Sequence, residues 1–245
     1  MMKIMMLMGL LAMAVSVWAD NSWRGDFETG DLSQWDYHLN PQGIKVQSDC
    51  VYEGQHAALI TLTGDESFLW HGNAALNRSE LTFKPADTSE GSTTNFGWSY
   101  YLPEAWSDAK HELGYWESDT SWQQQMRFNI HGTELSFQAS AADDVFWRLA
   151  DGASPGQWHD IAMQVHWSSD PDVGFVRIWH DGNVMDKVHM QTRVNERDPM
   201  FTQIGILRTQ TEAVERMVID NARQADTIDH VLAGFDANAG STCNL

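Results

Sequence analysis

Short alternations of apolar and polar residues dominate the chain, and runs with helical spacing are scarce. Alternation of period two sends successive side chains to opposite faces of a strand. The pattern predicts strands at Ala57 to Leu62, Arg78 to Phe83, Thr94 to Leu102, Gln124 to Ile130 and Glu134 to Ser140. Four more follow at Trp158 to Trp167, Gly174 to His180, Phe201 to Arg208 and Glu215 to Asn221. Gly, Asp, Asn and Pro bound these runs, as in an all-β sandwich. His180-Asp181-Gly182-Asn183 predicts a tight hairpin, because Asp-Gly tolerates the positive φ that such a turn demands. The stretch Pro103 to Ser121, carrying Trp106, Tyr115 and Trp116, reads as a long loop overhanging a groove.

The same alternation sorts chemistry onto faces. In Arg78-Ser79-Glu80-Leu81-Thr82-Phe83, a strand puts Arg78, Glu80 and Thr82 on one side and Ser79, Leu81 and Phe83 on the other. A guanidinium held by a neighbouring carboxylate can bind an acidic sugar's carboxylate through parallel hydrogen bonds. The plain alternative is a surface ion pair worth little. Gln125, Arg127 and Asn129 likewise share a face opposite Met126, Phe128 and Ile130. They can line the same groove or form a solvated sheet surface.

Residues 1–19 read as a secretory signal, with Lys3, an apolar stretch and a small residue, Ala19, before Asp20. The remaining residues, 20–245, have the size of one β-domain. No later run is long and apolar enough for a membrane helix, so the expected product is a secreted monomer, periplasmic or extracellular, with no membrane partner. The formal charge of -19 argues against a nucleic-acid partner. It also means that an acidic glycan would need a local basic groove, for which Arg78, Arg127, Arg148, Arg177 and Arg208 are available. Cys50 and Cys243 are the only cysteines, and an oxidising compartment predicts a disulfide between them.

Several blocks together resemble the jelly-roll polysaccharide lyases, the group of glucuronan lyase, heparin lyase I and the similar alginate lyases. They are Phe27-Glu28-Thr29-Gly30-Asp31-Leu32 with Trp35, Arg78-Ser79-Glu80-Leu81, and Phe96-Gly97-Trp98-Ser99-Tyr100-Tyr101-Leu102-Pro103 with Trp106. Gly156-Gln157-Trp158-His159-Asp160, the run from Gly174 to Asp181-Gly182, and Gly205-Ile206 with Arg208 complete them. The resemblance implies a concanavalin A-like β-jelly-roll sandwich and a uronate-containing polysaccharide cleaved by β-elimination. In these lyases a Gln-x-His and a Lys-x-x-x-Tyr usually carry catalysis. This chain has Gln125-Met126-Arg127 and Gln203-Ile204-Gly205-Ile206-Leu207 at those places. A leucine transfers no proton, so a non-catalytic carbohydrate-binding relative is the alternative reading.

Elimination requires the C6 carboxylate to be neutralised, the C5 proton removed and O4 protonated. Arg78, Gln125 and Arg127 suit the first task, with Glu80 holding Arg78 and helping to orient the substrate, and with His71 and Tyr101, and also Tyr115, as proton-transfer candidates. Asn129, Gln203 and Arg208 are expected to contact substrate. Trp116 and Trp122 are expected as platforms on which sugar rings stack, although core packing is the usual fate of an indole. The resemblance also implies a structural calcium ion on Glu28, Asp31 and Asp220, as a hard cation on hard oxygens. No carboxylate pair at the i, i+4 spacing of retaining glycosidases is evident.

Overall fold

The computed structural model describes residues 22–70, 73–140, 145–235, 243 and 245. The first seven strands are β1 (Trp23–Gly25), β2 (Tyr37–Leu39), β3 (Ile44–Gln47), β4 (Ala57–Leu62), β5 (Leu69–Trp70), β6 (Asn73–Phe83) and β7 (Thr93–Tyr101). There follow β8 (His111–Ser118), β9 (Gln124–His131), β10 (Glu134–Ala139), β11 (Val145–Leu149), β12 (Trp158–His166) and β13 (Phe175–His180). The last are β14 (Asn183–Val184), β15 (Val188–His189), β16 (Met200–Thr209) and β17 (Glu215–Ala225), before one short helix, Ile228–Leu232.

These strands make two antiparallel sheets. The nine-stranded sheet runs β14-β13-β12-β7-β17-β4-β3, with β1 on β17 and β15 on β13. The eight-stranded sheet runs β11-β10-β9-β8-β16-β6-β2, with β5 on β6. Sequence neighbours are divided between the sheets, which is the crossing-over of a jelly roll. The core lies between them. Phe96, Trp98, Ile161, Met163, Met217 and Ile219 from one sheet meet Leu81, Trp116, Phe128, Phe137, Ile204 and Ile206 from the other. Burying each such side chain stabilises the fold by about 1.5–3 kcal/mol, so the sandwich is held mainly by this seam.

All nine predicted strands are present, some longer than expected. The prediction fails at Pro103 to Ser121. That stretch is not a loop over the groove, since its second half is β8, a strand inside the eight-stranded sheet between β16 and β9. The pairing of β8 with β9 shifts register between Glu112 and Gly114, and its pairing with β16 shifts between Ile204 and Leu207. These bulges break the period-two signal and return Glu112, Tyr115 and Glu117 to one face. Gly205 sits at the second shift, where a Cβ would lie 2.4 Å from the Ser79 carbonyl oxygen.

Cys50 and Cys243 are bonded across a separation of 193 residues. Cys50 is fully buried beside Ala57 and Val218, with Tyr101 and Trp158 packed around it. The bond ties the end of the chain to the early strands. No helix among the described residues is long and apolar enough to cross a membrane.

Candidate functional site

The outward face of the eight-stranded sheet is a polar trough. Arg78, Glu80 and Thr82 of β6 alternate outward while Ser79, Leu81 and Phe83 face in. Register places Gln203 of β16 between Thr82 on one side and Tyr115 of β8 on the other. Tyr115 in turn pairs with Arg127 of β9, and Arg127 with Gln138 of β10. Five neighbouring strands therefore carry one continuous polar surface.

Arg78 is its hub. The Nε donates to Glu80 Oε2 at 2.5 Å, and Nη2 donates to the Tyr115 hydroxyl oxygen and, at 2.8 Å, to Gln203 Oε1. The guanidinium also lies over Trp70, 4.4 Å from the ring centroid. Burial opposes the charge on Arg78, but the charge and hydrogen bond of Glu80 overrule it and raise its pKa. Gln203 spans the site, since its Nε2 donates to Glu117 Oε1 at 2.6 Å.

Burial, joined by the charge of Glu80, pushes Glu117 up to about 8. It holds a proton at neutral pH. Tyr115, pushed well above 10 by burial first and by Glu80 next, also stays protonated. A second cation extends the trough: Arg127 Nη1 donates to Gln124 Oε1 at 3.4 Å, and its Nε is 3.8 Å from Glu112 Oε1. Asn129 Nδ2 donates to Gln138 Oε1 at 2.8 Å and continues the polar row.

At the β2 and β5 side the trough deepens into a cavity of about 700 Å³. Arg78, Gln203 and Glu117 form part of its lining, with Trp70, His38 and Trp122 around them. Trp122 is 64% exposed, in a left-handed conformation (φ 60°), and meets Phe201 edge-on. An indole held in this way offers a flat face to a sugar ring. His38 Nε2 is 2.9 Å from the Leu32 carbonyl oxygen. That oxygen only accepts, so the proton sits on Nε2 and Nδ1 is the basic nitrogen.

The structure thus brings Arg78, Glu80, Gln125, Arg127, Asn129, Gln203 and Trp122 onto one sheet face. Other candidates lie elsewhere. Tyr101 ends β7 in the opposite sheet, packed on Trp158 near the disulfide, too far round the fold to reach the trough. Trp116 is 1% exposed and points into the core against Trp167 and Phe96, so it offers no sugar platform. Arg208, also 1% exposed, is consumed by Glu215 Oε2 and by the carbonyls of Thr211 and Ala213. It braces a loop rather than a substrate. His71 lies outside the described residues.

Asp31 is an exposed turn residue whose Oδ1 accepts from Ser33 N and from the Thr29 and Ser33 hydroxyls. Among the described residues, Asp31, Glu28 and Asp220 do not form a cluster of ligand atoms within 4.8 Å of one another. Sequence reasoning missed Glu112 and Glu117 on the trough, and His38 at its edge, where pairing with Leu81 turns the side chain toward the inward side of the sheet. The first two were hidden by the bulged strand, and His38 sits on a three-residue strand too short to show a period.

Two packed antiparallel sheets with crossing connections and a polar trough across one of them define a jelly-roll sandwich. A family model described as polysaccharide lyase matches residues 27–223, and the chain belongs to that family. Among solved structures it is similar to endo-β-1,4-glucuronan lyase from the fungus Trichoderma reesei. That match has 17% identity, a TM-score of 0.66, and covers 86% of this chain and 96% of that one. A GH131 β-glucanase catalytic domain from Podospora anserina matches with 14% identity and TM-score 0.59, over 79% of this chain and 85% of that one. The family 7 alginate lyase AlgAT5 matches with 13% identity and TM-score 0.52, over 73% and 80%. No curated protein matches the sequence.

Proposed function

We propose that the chain is a secreted lyase that cleaves a uronate-containing polysaccharide by β-elimination. The observation that carries this reading is the pairing of a carboxylate-clamped guanidinium, Arg78, with a carboxyl group that stays protonated, Glu117, joined through Gln203. Arg78 and Arg127 would neutralise the C6 carboxylate. A base on the trough would take the C5 proton as the C4–O4 bond breaks and the C4–C5 double bond forms. Glu117, or the phenol of Tyr115, would deliver the proton to O4. Tyr115 supplies from β8 the hydroxyl that Leu207 cannot supply from β16. Trp122 would stack on a neighbouring sugar, and the leader at residues 1–19 together with the disulfide fits export.

The purified protein should generate the ultraviolet absorbance of the new double bond on at least one of alginate, glucuronan, heparin-type and ulvan-type glycans. Glu117→Gln should lower the rate by about 10²–10⁴-fold with little change in glycan affinity. Affinity without absorbance on every glycan would replace the enzyme by a binding module.

A hydrolase is the second reading, favoured by one observation: Glu80 and Glu117 are neighbouring buried carboxyl groups from different strands, one of them protonated. New reducing ends on a neutral β-glucan, without absorbance, would select it.

We also propose a structural calcium ion on Glu28 and Asp220, without Asp31. Asp220 is fully buried and is pushed up to about 7, by burial first, with the charge of Glu28 adding to the rise. Its oxygens meet the backbone amides of Tyr52, Glu53 and Asn221, and two like charges so placed suit a hard cation. Calcium should raise the thermal midpoint and a chelator should lower it. An unchanged midpoint in both conditions would remove the ion.

A further inference from the structure

A second constellation stands apart from the trough, where the segment 150–156 passes from β11 in one sheet to β12 in the other. His159 of β12 and His180 at the end of β13 are 1% and 6% exposed, and their rings stack with centroids 5.3 Å apart. Asp181, next in the turn, reaches both. One ligand atom from each of the three residues falls within 4.8 Å of the others.

The hydrogen-bond inventory around the two rings leaves a positive charge missing. His159 Nε2 lies 3.0 Å from the Ser154 carbonyl oxygen, and His180 Nε2 lies 2.9 Å from that of Gly152. Carbonyl oxygens accept only, so each Nε2 carries the ring proton and each Nδ1 presents a lone pair. The Gln157 amide approaches His159 Nε2 at a longer 3.4 Å, and the Tyr100 hydroxyl, which donates to the Gly152 carbonyl, is 3.4 Å from His180 Nε2. Both Nδ1 atoms converge on a third acceptor: Asp181 Oδ2 is 2.8 Å from that of His159 and 3.4 Å from that of His180. The other aspartate oxygen, Oδ1, accepts the Asp160 backbone N–H at 2.8 Å, which fixes the carboxylate's orientation.

We propose that His159 Nδ1, His180 Nδ1 and Asp181 Oδ2 form a site for a divalent transition metal, zinc foremost. Three acceptors directed at one another are reconciled by a cation between them, whereas one extra proton satisfies only one of the two imidazole contacts. The surroundings are those of metal-bound histidines, whose second nitrogen characteristically donates to a backbone carbonyl or carboxylate. Ligand atoms on tetrahedral zinc, at roughly 2.0–2.1 Å from the ion, stand roughly 3.4 Å apart. The His180–Asp181 separation already has that value, and the His159 contact needs to open by about half an ångström. Two imidazoles with one carboxylate suit zinc better than calcium or magnesium, which prefer all-oxygen shells. Asp181 is 39% exposed on its side chain, so the ion can enter from solvent and keep water in its fourth position. The site would pin the segment 150–156 to β12 and to the β13 turn.

The test uses the untagged protein, stripped of metals and returned to calcium-containing buffer. Cobalt(II) should bind with one-to-one stoichiometry and give the visible bands of a low-coordinate site. Zinc should displace it and raise the thermal midpoint. Asp181→Asn and His180→Gln should each weaken cobalt binding by more than roughly 100-fold, while His166→Gln should leave it unchanged. Absence of a saturable cobalt band in the unmodified protein overturns the site. So does equal affinity in Asp181→Asn, a change at a partly exposed turn that leaves the core intact.

Discussion

Arg78→Ala is expected to destabilise the protein by about 3–5 kcal/mol and to remove its hold on acidic glycans. Glu80 is 1% exposed, and its nearest cation is the guanidinium bonded at 2.5 Å. Deleting one member of a buried pair leaves the other desolvated without compensation, which costs far more than the pair contributes. The loss alone would not separate a structural from a functional role, since a weakened fold also binds poorly. A double replacement does separate them. Arg78→Met with Glu80→Met substitutes apolar side chains for both charges, and denaturant midpoints should recover most of the way toward the parent. Glycan affinity should not recover, because the trough then lacks its anchored cation. A double variant that bound acidic glycans as the parent does would take Arg78 out of recognition.

Stability should peak near pH 5, and two carboxyl groups with opposite shifts contribute to its two limbs. Glu215 is depressed to about 2: burial works to raise it, but hydrogen bonds from His111 and Ser107, the charge of His111 and the hydrogen bond from Arg208 overrule burial. A depressed carboxylate stabilises above its unfolded value, 4.5, and loses that stabilisation as pH falls toward about 2. The shift corresponds to roughly 3 kcal/mol. Glu117 runs the other way. Its protonated form is favoured in the fold, so its effect on stability is neutral below 4.5 and increasingly unfavourable as pH rises through about 8.

Urea midpoints should therefore fall on both sides of the optimum. Glu215→Gln should be less stable than the parent at pH 7, with the gap closing between pH 4.5 and 2. Glu117→Gln should flatten part of the alkaline limb. Parallel pH profiles for parent and variants would refute both assignments. The same proton on Glu117 links stability to the proposed chemistry, since the form the fold favours is the one able to protonate a leaving oxygen.

Period-two patterning was enough to determine an all-β sandwich and to place Arg78 beside Glu80, and Gln125 beside Arg127, on common faces. Alternation is a local property of the backbone, so a strand carries it wherever it lies. The pairing of the two cysteines was legible because only one partner was available to each. What needed the tertiary structure was everything that depends on which strands are neighbours. Tyr115 and Glu117 belong to the site because β8 lies between β16 and β9, and two bulges return them to the trough after breaking the pattern that would have revealed them. Trp116 and Arg208 carry side chains suited to sugars, yet inward orientation commits one to the core and the other to Glu215. His159 and His180 are 21 residues apart, and only the antiparallel pairing of β12 with β13 brings them to one carboxylate. Residue type and spacing fix what a side chain could do; register and burial decide what it meets.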